Sequence, residues 1–439
     1  MVKRTYLLFL SSILAFAAPA SAQLRFIVRP TTPGGITAVA QRHALAVVQP
    51  LDSVGLVYLV TSSNGRTIQQ VETEVGKDVE VVDIEQDQNT AVPEVSQTTA
   101  AILDNLPTPT AVTYYSAPVL GVYLSQKAVS VIHLPDAQSA FGTTGAGIVA
   151  IIDTGIDPTH PVLRGSVVPG YDFVHNIPGG SEWIDLTPKN YQVLTHSSPI
   201  ITSKNTVAMV SSSTAAILDQ TTAAILDYKN MPKAFGHGTM VAGVVHLAAP
   251  TAKIMPLKAF KSDGSATLVD ILRAIYYAAD HGAHVINMSF TLTIASTELA
   301  DAMQYAADKN VICVASSGNT GKGVVGNPAS LDYVVGVAST TNLDKRSNFS
   351  SYGAEVWVAA PGEGIVTTYP GQNYAEATGT SFSAPLVSGT AALTVQVSNS
   401  TDFGKSRTAL SYAKQLPGLG LGNGRLDVFQ AIQFMIQNP

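Results

Sequence analysis

"GIVAIIDTGID", residues Gly147–Asp157, opens with an unbroken aliphatic run and then turns abruptly polar at Asp153, Thr154 and Gly155. A short apolar run with no polar alternate fits a strand buried on both faces, and the glycine allows a sharp turn at its end. The same pattern recurs in "HVINMSF" (284–290), "NVICVASSG" (310–318), "DYVVGVAS" (332–339) and "EVWVAAPG" (355–362). Between these runs lie "TLVDILRAIYYAADHG" (267–282) and "STELADAMQYAADKN" (296–310), whose apolar residues follow a helical period. Strands buried on both sides and alternating with helices define an α/β fold, a mostly parallel sheet with helices on both faces. "GLGNGRLDVFQAIQFMIQ" (420–437) adds a glycine turn and an amphipathic helix. No tail domain is expected after it.

Upstream the pattern changes. "LRFIVRP" (24–30) and "VGLVYLVTS" (54–62) alternate like strands, "TIQQVETEVG" (67–76) has helical spacing, and "VEVVDIEQ" (79–86) closes as a strand. With a short helix around Gln41, residues 24–88 are expected to form a small α+β unit of ferredoxin-like element order. Residues 89–118, rich in Thr, Pro, Ser and Ala, are expected to be a linker, and residues 119–439 the main domain. Lys3 and Arg4, the apolar run Tyr6–Ala18 and the small residues Ala20-Ser21-Ala22 read as a secretory signal expected over residues 1–22. No later segment approaches the roughly 20 apolar residues that a membrane span needs. A secreted, extracellular or periplasmic monomer without a membrane anchor is therefore expected.

Only 13% of the 439 residues are charged and the net charge is -6, so no basic field is present to displace counterions from a nucleic acid. Cys313 is the single cysteine. It excludes an intramolecular disulfide and a thiolate metal cluster, and its apolar run makes it a packed, inert thiol. His281 and His284 in "HGAH" have no third ligand nearby in sequence and read as surface or packing residues.

Three motifs carry chemistry. Asp153 ends a strand in "AIIDTGID", His237 enters a helix in "GHGTMVAG" (236–243), and Ser381 opens a helix in "GTSFSAPLVSG" (379–389). In open parallel sheets, reactive groups collect beyond the carboxyl ends of the strands. A serine, a histidine and an aspartate meeting there form a nucleophile, its general base and the group that orients the base.

From about Ser125 onward the chain resembles the catalytic domain of the subtilisin-like serine peptidases. DTG, HGT and GTSFSAP occur in the order Asp, His, Ser, which is the order of subtilisin itself. "VINMSF" resembles that family's substrate-edge strand and "SSGN" its oxyanion loop, while "NFSSYGAEVWVAAPG" and "GNGRLDV" resemble the stretch before the nucleophile and the closing turn. The resemblance implies a secreted endopeptidase that hydrolyses peptide bonds through an acyl-enzyme on Ser381, with His237 as base and Asp153 behind it. It also implies Asn319 as an oxyanion donor beside the Ser381 N–H, and Ser289, Phe290, Thr291 and Gly318 as substrate-binding positions. Protein or peptide substrates are the implied partners. Residues 24–88 resemble the inhibitor-type propeptide of such enzymes, so a self-inhibited precursor is implied, cut between about Glu85 and Gln126. The competing reading is a non-enzymatic scaffold, or a protein that cuts only its own propeptide.

The chain departs from that pattern in three places. After "HGTMVAGVVHL" it passes almost directly to "AAPTAKIMPLKAF", too short for the calcium loop found there in many subtilisins. No cofactor is required, calcium at that position is not expected, calcium sites elsewhere stay open, and no metal ligands are assigned. Thr291 stands where relatives have glycine, which predicts either a narrowed pocket that favours small residues at the cleaved bond or a shifted loop without effect on specificity. Residues 165–234 are longer than in compact relatives and are expected to be an insertion. It holds two copies of TAAILD, at Thr214–Asp219 and Thr222–Asp227, with a third at Thr99–Asp104. These repeats are expected either to be a surface loop or to tether the linker to the insertion.

Overall fold

The computed structural model describes residues 23–91, 111–115, 117–188, 234–398 and 402–438, together with 210–211, 214–215 and 232. The N-terminal unit is built from β1 (Leu24–Pro30), β2 (Ala46–Pro50), β3 (Tyr58–Ser62) and β4 (Val81–Gln86), with helices Ile36–Arg42 and Ile68–Val75 between them. Its sheet runs β2-β3-β1-β4, with every pairing antiparallel. Thr67 starts the second helix through a reciprocal capping pair with Gln70, satisfying two backbone donors at once. Along β1 the pleat sends Phe26 and Val28 into this unit's own core, with Val39, Val71 and Val75. Ile27 faces the other way and, with Leu59, joins the core of the main domain.

The stretch expected as a linker contains three short strands: β5 (Asn89–Ala91), β6 (Ala111–Tyr114) and β7 (Ala117–Leu120). β6 and β7 pair as a hairpin, whose Tyr114 hydroxyl donates to the Leu247 carbonyl of the main domain. Ala117, Val119 and Tyr123 are buried in the same core, so the body begins well before the glycines at 145–147. Thr- and Pro-rich composition hides such strands, because what stabilises them lies more than a hundred residues away.

The main domain continues through β8 (Ile148–Asp153), β9 (Tyr171–Asp172), β10 (Ile177–Pro178), β11 (Val210–Ser211), β12 (Thr214–Ala215), β13 (Lys253–Lys258), β14 (Ser265–Thr267), β15 (Val285–Met288), β16 (Ile312–Ser316), β17 (Val334–Thr340), β18 (Val358–Pro361), β19 (Ile365–Tyr369) and β20 (Asn373–Ala377). Eight of them form one sheet, β10-β9-β13-β8-β15-β16-β17-β18, parallel except for edge strand β10. Alternate residues feed two separate cores. Val149 and Ile151 of β8, with Ile312 and Val314 of β16, face the layer of helices His237–Ala248 and Thr380–Ser398. Ala150, Ile152, Cys313 and Ala315 face the layer of helices Leu268–Asp280 and Thr297–Asp308. A one-residue slip of β8 would exchange the two sets, so the register is strongly specified. β5 lies outside this sheet, antiparallel to β14, with Ala91 opposite Ser265 and Asn89 opposite Thr267.

The expected insertion is partly integral to the fold. β9 pairs with β13 inside the main sheet, and residues 182–185 form a 3-10 turn against the start of helix His237–Ala248. Of the repeats, only Thr214–Ala215 are described, in a two-residue ladder with Val210–Ser211. The remainder of both copies and the copy at Thr99–Asp104 lie outside the described residues. Cys313 is fully buried, and burial pushes its thiol up to about 12. His281 stacks on Tyr277, and His284 accepts a bond from the Ile148 N–H. Among the described residues, no helix is long and apolar enough to cross a membrane.

Candidate active site

The chemistry-bearing side chains converge at the carboxyl edge of the sheet. Asp153 is the last residue of β8, Ser289 follows β15, and Gly318 and Asn319 follow β16. His237 is the first residue of its helix and Ser381 the second of the long helix Thr380–Ser398. These last two helices pack against each other over the same face of the sheet.

His237 Nδ1 lies 2.8 and 3.0 Å from the two carboxylate oxygens of Asp153. A carboxylate accepts, so Nδ1 carries the proton and Nε2 keeps its lone pair for a proton acceptor's role. The Thr154 N–H donates to Asp153 Oδ1 at 2.7 Å, which fixes the carboxylate plane. Both side chains are buried, and the imidazole sits 5.7 Å from the ring of Phe382, next to Ser381 in sequence. Below Asp153 the fully buried Lys258 ammonium donates to the carbonyls of Thr154 and Phe260 and to Asp185 Oδ2, at 2.7–2.8 Å.

The Ser381 hydroxyl donates to the Ser289 carbonyl at 3.0 Å, and the Ser289 hydroxyl donates back to the Ser381 carbonyl at 2.8 Å. Behind them Asn287 Nδ2 donates to Ser289 Oγ, and Asn287 Oδ1 accepts from Ser388. Ser289 and Phe290, expected as substrate-binding positions, turn their side chains inward. The Ser289 hydroxyl is committed to the Ser381 carbonyl. Phe290 is 2% exposed and packs on Phe260 with ring centroids 4.8 Å apart.

Asn319 is held by its oxygen: Oδ1 accepts from the Thr380 N–H at 2.9 Å and from the Thr380 hydroxyl at 2.8 Å. Those two donors set the amide orientation and turn Nδ2 toward the turn that carries Ser381. A Cβ placed on Gly379 would lie 3.4 Å from Nδ2.

Thr291 leans across the mouth of this region. A Cβ on Gly318 would sit 3.4 Å from Thr291 Oγ1, and one on Gly326 would collide with Thr291 Cγ2. The Thr291 methyl therefore fills the space that the bare backbone of Gly326 leaves open. Leu292 and Asn327 exchange backbone bonds just beyond, locking Thr291 in place.

Two residues here give no sequence signal. Glu182 is fully buried although it sits in the loop "GGSEWIDL", and Lys258 ends a strand where a lysine usually snorkels to water. Neither has a flanking motif or periodicity. Among the described residues, no group of three or more His, Cys, Asp or Glu side chains could hold a metal ion.

Residues 145–413 match the family model described as "Subtilase family". The chain is 34% identical over 316 residues to thermitase of Thermoactinomyces vulgaris, covering 69% of this chain and 94% of that protein. It is 36% identical over 252 residues to the thermophilic serine proteinase of Bacillus sp. (strain AK1), covering 57% of this chain and 52% of that protein. Among solved structures, fervidolysin from Fervidobacterium pennivorans, a keratinolytic enzyme related to subtilisin, superposes with a TM-score of 0.67 at 21% identity, covering 95% of this chain and 61% of that one. The chain belongs to the subtilase family. It is a serine endopeptidase of the subtilisin type.

Proposed function

We propose that this chain is an exported endopeptidase, made as a self-inhibited precursor, that cleaves peptide bonds through an acyl-enzyme on Ser381. The observation that carries the reading is the buried Asp153–His237 pair set beside the helix that opens with Thr380 and Ser381. In this mechanism the Ser381 hydroxyl leaves the Ser289 carbonyl and turns to His237 Nε2, which removes its proton as Oγ attacks the scissile carbonyl. Asp153 holds the ring in the required tautomer and stabilises the imidazolium. Asn319 Nδ2 and the Ser381 N–H stabilise the tetrahedral oxyanion. The imidazolium then returns its proton to the leaving amine, and water completes the second half.

The Thr291 methyl opposite Gly326 supports a shallow pocket for the residue before the cleaved bond, suited to Gly, Ala or Ser. Self-inhibition is supported by β5. It lies extended and antiparallel on β14 of the main domain, with Ala91 opposite Ser265. An extended segment added to an exposed edge is how a peptide substrate would bind.

An active-site-directed fluorophosphonate on the processed protein tests the reading. Labelling of wild type that vanishes in Ser381→Ala is expected; no labelling of folded, processed wild type would overturn it.

A further inference from the structure

We propose that Glu182 is a positioning residue for His237, gripping the start of its helix on both sides of the imidazole. The inference rests on the reading of His237 as the general base.

Glu182 is 0% exposed. Its Oε2 accepts from the Gly236 N–H at 2.6 Å, and its Oε1 accepts from the Thr239 hydroxyl. Gly236 immediately precedes His237 and Thr239 follows two residues later, so one carboxylate bridges the residues that flank the base. Gly236 sits at φ +90, and a Cβ there would run into the Tyr369 ring. No side chain at that position can cap the helix, and its N-cap residue makes no side-chain bond. The N–H groups at a helix start have no intrahelical partner, and an acceptor oxygen placed there satisfies one of them. Glu182 supplies that oxygen from 54 positions away in sequence.

Glu182 is itself anchored to the Asp153 side of the site. Its N–H donates to the Ile156 carbonyl at 3.3 Å, and the Ile156 N–H donates to the Gly180 carbonyl at 2.8 Å. Thr239 Oγ1 also accepts from the Asp157 N–H at 2.7 Å, and Thr154 Oγ1 accepts from the Gly238 N–H at 3.1 Å. The segments carrying Asp153 and His237 are thus joined on both sides of their own hydrogen bond. The charged groups facing Glu182 are Asp157 and Lys258, and burial pushes the Glu182 carboxyl well above its usual range. A fully desolvated carboxyl group in a merely structural loop would be a costly choice. Its placement against the base gives it a reason to be there.

The test uses the full chain, secreted and allowed to process, with Glu182→Ala, Glu182→Gln and Thr239→Val. Kinetics on a peptide substrate are run below each variant's melting temperature. Glu182→Ala should lower kcat about tenfold or more with KM changed less than about threefold. Glu182→Gln, which keeps an acceptor for the Gly236 N–H, should recover most of that loss. If Glu182→Ala does not fold, Thr239→Val should still lower kcat about three- to tenfold at near-constant KM. Unchanged kcat in the folded variants, a change in KM alone, or equal loss in Glu182→Gln and Glu182→Ala would each overturn the proposal. Fluorophosphonate labelling of wild type keeps the outcomes separate: an unlabelled wild type sinks the triad reading, while a labelled wild type with indifferent Glu182 variants sinks only this one.

Discussion

Ser381 and Ser289 hold each other by two opposed hydrogen bonds, each hydroxyl donating to the other residue's carbonyl at 3.0 and 2.8 Å. The reciprocal pair couples the start of the long helix to the end of β15, and the Ser388–Asn287–Ser289 chain extends the coupling inward. Replacing Ser289 by alanine leaves the Ser381 carbonyl and Asn287 Nδ2 buried without these partners. Each loss costs about 1–3 kcal/mol. Ser289→Ala should therefore lower unfolding stability by about that much or more, measured by denaturant titration in a Ser381→Ala background where self-digestion is absent. Unaltered stability would show that water takes over both groups.

Thr291 and Gly326 set the second prediction. Thr291→Gly removes the methyl that occupies the space opposite Gly326. Cleavage-site profiling on a peptide library should shift from small residues before the cut toward Leu, Phe and Tyr, with gains of about tenfold for the larger side chains; one missing or added methylene in a pocket is worth about 1–3 kcal/mol. An unchanged profile would mean that the pocket is bounded elsewhere.

Much of the fold and of the site is legible in the amino-acid sequence. Continuous apolar runs such as "GIVAIID" and "NVICVASSG" announce strands buried on both faces, because in a parallel sheet neither face can be polar. Asp153, His237 and Ser381 sit in short motifs whose flanks carry as much information as the reactive residue. Contacts between distant loops are not legible. β9 is two residues long and pairs only because β13 lies beside it. Glu182 meets Gly236 across a long excursion, with no local pattern to announce it. Position along the chain places Ser289 and Phe290 at the cleft, but the direction of their side chains depends on the helix and the aromatic ring packed over them.

Acid should destabilise the body through two buried imidazoles. Desolvation lowers His160 and His246 to about 4, despite the bond from His160 to the Asn373 carbonyl. Because the folded values lie below the ordinary value of 6.5, the fold favours the neutral rings. Their contribution is complete above about pH 6.5 and erodes as pH falls toward 4, by about 1.4 kcal/mol per pH unit for each ring. His246→Phe should flatten the fall in melting temperature between pH 6.5 and 4.5. A slope identical to wild type would remove His246 from the account.

Docking of the N-terminal unit should respond to pH in the opposite sense. Burial, then the like charges of Glu298 and Asp83, raise Glu85 to about 7, while its bond from the Ser296 hydroxyl works against the shift. Asp301 adds negative charge to this interface, and Arg29 pairs with both Glu298 and Asp301. A raised value in the docked state means that docking is strongest at low pH and weakens as pH rises through about 7. In the Ser381→Ala full chain, hydrogen-exchange protection along β4 should fall between pH 5.5 and 8.5 once intrinsic exchange is corrected for. Glu85→Gln should remove most of that dependence.

The placement of Tyr123 bears on where the proposed precursor is divided. Its ring is fully enclosed and its hydroxyl donates to the Gly243 carbonyl at 2.6 Å, inside the helix that begins with His237. A cut beyond it would pull a plug out of the floor beneath the base, and a cut within β6 or β7 would unpick the hairpin fastened to Leu247. At the other end, β5 is still seated on the main domain as far as Ala91. On the proposed precursor reading, the cut that leaves both the β5–β14 pairing and the β6–β7 hairpin intact is one after Ala91 and before Ala111. Fully extended, a stretch of that length spans at most roughly 65 Å, which sets the longest reach with which the proposed cleavage segment is presented to Ser381 of its own chain.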